Sequence, residues 1–162
     1  MSDAPSDFQQ LDFSQQFVVW AARGVAHNRQ CECGNPVDLA IGFRLARAEA
    51  ALPPLLAFMQ ILESAGERPI SLHAVACGCL STDEHVLLEC VASLQNGGIA
   101  TAHRLLHKYL PCSAARSAVW MLEAFARQIR DAGLLLSTSA FEEYWQGVVD
   151  EPVLEAASTR LH

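Results

Sequence analysis

The chain predicts an all-α fold, a single compact domain of about six or seven helices, bundle-like or orthogonal. Three observations carry this expectation. Apolar residues recur at intervals of three and four along most of the chain, as they do in helices that bury one face. Pro, Gly and capping residues interrupt that pattern at spacings suited to helices of ordinary length. The intervening turns are short, which makes successive helices close neighbours. At 162 residues and 51% hydrophobic composition, there is enough apolar material for one sizeable core, and no boundary divides 1–162.

Residues 1–10, MSDAPSDFQQ, read as a flexible N-terminal tail. Phe13, Phe17, Trp20 and Gly24 then share one face of a first helix, expected to run to about Asn28 and to end in the Cys-Glu-Cys-Gly-Asn-Pro turn. Pro36 opens a second helix with Leu39, Phe43, Ala46 and Ala50 aligned. Pro53 and Pro54 separate it from a third, which carries Leu55, Phe58, Met59 and Leu62 and stops at Gly66. The run PISLHAVA from Pro69 to Ala76 reads as a turn or short helix.

Ser81 and Glu84 form a capping-box signature ahead of the stripe Leu87, Val91, Leu94, and Gly97-Gly98 closes that helix. Two more helices are expected, one from Ile99 to Leu110 and one from Ser113 to Ala132, the latter with Ala118, Leu122, Phe125 and Ile129 inward. A final helix begins near Ser139, where Glu142 repeats the capping box, and carries Phe141, Trp145 and Val148. Trp20, Trp120 and Trp145 lie at helical spacing with other apolar residues, so all three are expected in the core.

Eighteen acidic against eleven basic residues give a formal charge of -7. Such a surface repels phosphate backbones, and no basic stripe compensates, so no nucleic-acid partner is expected. The N-terminal segment has no positive region followed by an apolar run, and the longest apolar stretch, from Ala51 to Met59, is short and contains two prolines. These features predict a cytoplasmic protein with no membrane partner. In a reducing compartment, six cysteines read as thiols or metal ligands before they read as a disulfide framework.

One pattern stands out because it occurs twice. His27, Cys31 and Cys33 in HNRQCECG, and His73, Cys77 and Cys79 in HAVACGCL, both read H-x3-C-x-C. Thiolate and imidazole are the donors that zinc prefers, and structural sites deliver them as short clusters on separate turns. Each histidine precedes its cysteine by one helical turn, so it can join the site or hold a thiolate from behind. The candidate site residues are therefore Cys31, Cys33, Cys77, Cys79, His27 and His73, with zinc as the candidate cofactor.

Other residues carry less. Cys90 sits on an apolar stripe and reads as core. Cys112 follows Pro111 at a helix start, where the macrodipole favours a thiolate. His103 and His107 share a face with Arg104 and Lys108 and read as solvated, and Asp83-Glu84 as helix capping. No phosphate-binding loop, dinucleotide fingerprint or nucleophile elbow occurs.

These observations lead to a small accessory or protein-interaction domain, with another protein or a second copy of itself as partner, held by a structural zinc clasp between the two C-x-C turns. Two alternatives stand beside it. One is a thiol-based redox enzyme or sensor in which Cys31 or Cys33 pairs with Cys77 or Cys79. The other is a metal-free helical domain that binds a partner or a small apolar ligand. The enzyme question stays open, leaning against one.

Overall fold

The computed structural model describes residues 7–31 and 35–137. Within them the chain forms a single compact all-α domain of six α-helices, α1 (Phe13–Gln30), α2 (Leu39–Leu45), α3 (Leu52–Ala65), α4 (Thr82–Gln95), α5 (Ile99–Leu106) and α6 (Cys112–Asp131). Cys33 and the expected helix from Ser139, with Phe141, Trp145 and Val148, lie outside the described residues.

α4 is the central element. It is buried on nearly every side, from Asp83 through Gln95, and packs on α5 and α6, with α1 alongside. A helix without a wide solvated face needs its first turn secured, and the expected capping box does this: Ser81 Oγ accepts from the Glu84 amide at 3.0 Å, and Glu84 accepts from the Ser81 amide at 2.8 Å. α6 buries Ala115, Ala118, Leu122, Phe125 and Ile129 against α3 and α4. The α3–α6 pairing is the most extensive in the fold.

α1 opens with a second capping box, Asp12 with Gln15, and runs two residues past the expected Asn28. Its buried stripe also differs from the expected one. Phe17, Val18, Ala21, Ala22 and Val25 are covered, whereas Phe13 is 67% exposed. α2 stops at Leu45 instead of continuing through Ala50, because Arg47 takes a left-handed conformation (φ 56°) and the Ala48 amide returns to the Phe43 carbonyl at 2.8 Å. A 3₁₀ turn, Glu49–Ala51, then leads into α3, whose first turn holds Pro53 and Pro54 where their missing amide hydrogens cost nothing.

α5 ends at Leu106, and Leu110 follows it buried outside any helix. Residues 7–10, expected in the tail, form a short 3₁₀ turn (Phe8–Gln10), and the Phe8 amide bonds the Gly78 carbonyl at 2.7 Å. Of the three tryptophans, Trp20 is half-buried against Phe17, and Trp120 is 68% exposed, against expectation. Trp120 directly follows Val119 on α6, and the inward rows on that helix already belong to residues 115, 118, 119 and 122. Trp145 lies outside the described residues.

Candidate ligand-binding cavity

The segment from Gly66 to Ser81 is neither helix nor strand, apart from an isolated bridge between Asp7 and Cys79. A turn or short helix was expected over Pro69 to Ala76, and only the turn at Val75-Ala76 is present. Backbone polar groups in such a segment need partners from elsewhere. Two carboxylates at the start of α4 supply them. Asp83 accepts from the Ser71 amide at 2.7 Å, and Glu84 from the His73 amide at 3.0 Å.

Arg23, on α1, completes the arrangement from the other side. Its Nε and Nη2 donate to the two Glu84 oxygens at 2.6 and 2.9 Å, and both side chains are wholly buried. Nη1 donates to the carbonyls of Cys77 at 2.6 Å and Ala74 at 3.3 Å, and Nη2 to that of Cys79 at 2.6 Å. A guanidinium has five N–H groups, so every one is used. The ring of Phe8 lies over it at 5.3 Å. The second H-x3-C-x-C element is therefore wrapped by its carbonyls around Arg23.

Burial alone would raise the carboxyl pKa values of both Asp83 and Glu84, but the hydrogen bonds they accept outweigh it, and both end up lowered. For Glu84 the chief donor is Arg23; for Asp83 it is the Tyr109 hydroxyl, at 2.6 Å, with Ser71 and Arg68 behind it. Arg68 also lies 4.9 Å over the Tyr109 ring. Asp83-Glu84 was expected to cap a helix. Glu84 does so, and both carboxylates also fix the following wall of a cavity.

That cavity, of about 530 Å3, lies between one face of α1, the end of α3 and residues 69–75. α1 contributes Arg23, Ala26, His27 and Gln30, which recur at three and four residues. α3 contributes Met59, Leu62 and Glu63, and the loop Ile70, Leu72 and His73. The histidines of the two sequence copies thus line one cavity. The Arg29 guanidinium closes an edge, bonded to Glu63 at 2.5 Å and the Leu56 carbonyl at 3.2 Å.

Each histidine is held by a backbone carbonyl. His27 Nε2 lies 3.2 Å from the Asn35 carbonyl, and His73 Nδ1 3.0 Å from the Cys79 carbonyl. A carbonyl oxygen only accepts, so these nitrogens carry the protons. The segment that orients His27 is itself fixed by Asn28, whose side chain donates to the Val37 carbonyl at 2.9 Å and accepts from the Val37 amide at 2.7 Å.

Of the four clasp cysteines, Cys33 lies outside the described residues, and the other three differ in state. Cys31 caps the end of α1 and is disulfide-bonded, whereas Cys77, Cys79, Cys90 and Cys112 are free thiols. The pairing of Cys31 with Cys77 or Cys79 expected of a redox centre is thus not the one found. A disulfide sulfur has no thiolate charge to offer, so a four-thiolate clasp would need Cys31 reduced. In the second copy, Cys77 Sγ lies 3.8 Å from His73 Nδ1, bringing two donors together. Among the described residues, no three His, Cys, Asp or Glu side chains converge as a metal-binding group. Cys90 is core, its thiol pushed up by burial, and Cys112 is exposed as the first residue of α6.

Sequence reasoning missed Arg23, Arg68 and Tyr109. For Arg23 a signal existed: it is the one charged residue in the apolar middle of its helix, one turn before His27. His103 and His107 stack edge to face, centroids 4.5 Å apart, with His107 exposed. No helix among the described residues is long and apolar enough to cross a membrane. Comparison of the chain with known protein families, with curated proteins and with solved structures finds no match in any of the three.

Proposed function

We propose that this domain is a metal-free binding module that takes a small organic molecule between α1, α3 and the 69–75 loop. One observation carries the reading: two histidines from distant parts of the chain share a cavity of about 530 Å3 with an apolar floor of Met59, Leu62, Ile70 and Leu72. That volume falls within the range of small-molecule sites, and convergent polar groups over apolar side chains are what such sites use to orient a ligand. The fixed charges nearby are compensated, Arg23 by Glu84 and Arg29 by Glu63. A ligand recognised here is therefore mainly apolar and uncharged.

The test uses a neutral fluorescent reporter, N-phenyl-1-naphthylamine, whose emission rises in an apolar site. Saturable binding at one site is expected, and Ala26→Trp, which fills the cavity from α1, removes it while far-ultraviolet circular dichroism stays unchanged. Ala26→Leu gives an intermediate loss. Saturable binding that neither substitution alters, or no saturable binding at all, would overturn the reading. A zinc clasp is the competing reading, and thiolate donors from the C-x-C turns would support it; the disulfide at Cys31 weighs against it.

A further inference from the structure

We infer that the ligand of this cavity presents a hydrogen-bond donor, a phenolic or other hydroxyl group on an apolar body, to the free nitrogen lone pair of His27 or of His73. The inference rests on the binding reading above and narrows it to one chemical class. An imidazole can offer a cavity either a proton or a lone pair, and its other nitrogen decides which.

In both rings that other nitrogen is committed. His27 gives its Nε2 proton to the Asn35 carbonyl and His73 its Nδ1 proton to the Cys79 carbonyl. The neutral rings therefore retain Nδ1 of His27 and Nε2 of His73 as acceptors. The two carbonyls are themselves held in place, one beside the Asn28–Val37 pair and the other by Arg23 Nη2 at 2.6 Å. Arg23 supplies nothing to a ligand, because its five N–H groups are used within the protein. Arg29 is engaged by Glu63 and by the Leu56 carbonyl.

A carboxylate ligand would bring acceptors to acceptors and displace Glu63 from Arg29. A hydroxyl on an apolar ring gives its one proton to either imidazole and buries its body on Met59, Leu62, Ile70 and Leu72. The same lone pairs suit a metal ion, but among the described residues no third protein donor joins them. The apolar floor favours the organic ligand.

The experiment compares 2-naphthol with 2-methoxynaphthalene, which has the same ring system and no donor, by fluorescence titration of the full chain at pH 8. We expect 2-naphthol to bind about tenfold more tightly, the discrimination given by one well-made hydrogen bond. At least one of His27→Leu and His73→Leu reduces that ratio, and the double variant brings it near one while the methyl ether still binds saturably. Saturable binding of the ether shows that the cavity is intact in the variants. Equal affinities for both compounds in the wild type overturn the inference and leave the binding reading standing. Failure of both naphthalenes and of the neutral reporter overturns the two together. Displacement of 2-naphthol by stoichiometric Zn2+, lost in the double variant, overturns the inference in favour of a metal.

Discussion

Arg23 meets Glu84 across 61 residues of sequence, with Nε and Nη2 at 2.6 and 2.9 Å from its two oxygens and neither side chain exposed to water. The pair joins α1 to the start of α4 and holds the carbonyls of Ala74, Cys77 and Cys79 around the guanidinium. Removing one charge from a buried pair leaves the other uncompensated. Arg23→Met is therefore expected to cost about 3 to 5 kcal/mol in urea denaturation. Arg23→Lys recovers little of that, because three donors on a point charge replace five in a planar fork. The Arg23→Met, Glu84→Leu double variant should be less destabilised than the sum of the two singles. Additive losses would show that the two residues act separately.

Acid sensitivity follows from the same region. Burial pushes His85 down, partly offset by Glu84, so the folded state holds its proton less well than the unfolded chain does. For a base lowered in the fold, stability is complete above the unfolded value of about 6.5 and declines as pH falls below it. Asp83 and Glu84 have folded pKa values below their ordinary ones, so their contribution is present above about pH 4 and is lost as pH falls through the folded values. Urea midpoints should thus decline in two stages, one beginning near pH 6.5 and the second below about pH 4. His85→Asn should remove only the first stage. A single decline confined to pH below 4 in the wild type would refute the role of His85.

The same pair of helices shows what the chain alone could and could not disclose. The Ser81–Glu84 capping box was legible because its information lies within four consecutive residues. The inward positions of α6 were legible because a helix repeats itself locally. The partner of Arg23 was not, since it lies 61 residues away, even though a lone charge in the apolar middle of α1 marks Arg23 itself. The early stop of α2 was equally hidden, because Arg47 at φ 56° carries none of the glycine signal that usually marks such a position. Of the doubled H-x3-C-x-C pattern, it is the histidines that share one cavity, although thiolates are the stronger metal signal in a sequence. A cysteine reads the same in sequence whether it is disulfide-bonded, like Cys31, or a free thiol, like Cys77.

Thiol reactivity should follow exposure. Cys79 and Cys112 are exposed, Cys77 is half-buried beside His73, and Cys90 is fully buried with its thiol pushed up by desolvation. Thiolate is the reactive form, so a brief pulse of iodoacetamide on native protein should label Cys79 and Cys112 first and Cys77 more slowly. Cys90 should be labelled only in denaturant. Peptide mapping by mass spectrometry resolves the order, and early labelling of Cys90 would mean that α4 opens readily in the native state.

Trp20 and Gly42 set the distance between α1 and α2. A Cβ placed on Gly42 would come within 2.1 Å of the Trp20 ring, far inside van der Waals contact. The indole has little room to give way, since it is half-buried and packs on Phe17 at a centroid distance of 5.8 Å, and Phe17 in turn meets Phe43 of α2 edge-on at 5.0 Å. Gly42→Ala is therefore expected to cost about 1 to 3 kcal/mol despite the better helix propensity of alanine, which offers at most about 1 kcal/mol in the other direction. The Trp20 emission should shift to the red as α2 is displaced. Emission from Trp120, 68% exposed, and from Trp145 masks part of that signal, so the measurement belongs in a Trp120→Ser, Trp145→Phe background. The Trp120 substitution should itself change stability by no more than about 0.5 kcal/mol, as expected for an exposed side chain. A stabilised Gly42→Ala protein with unshifted emission would mean that the two helices are not in the close contact described.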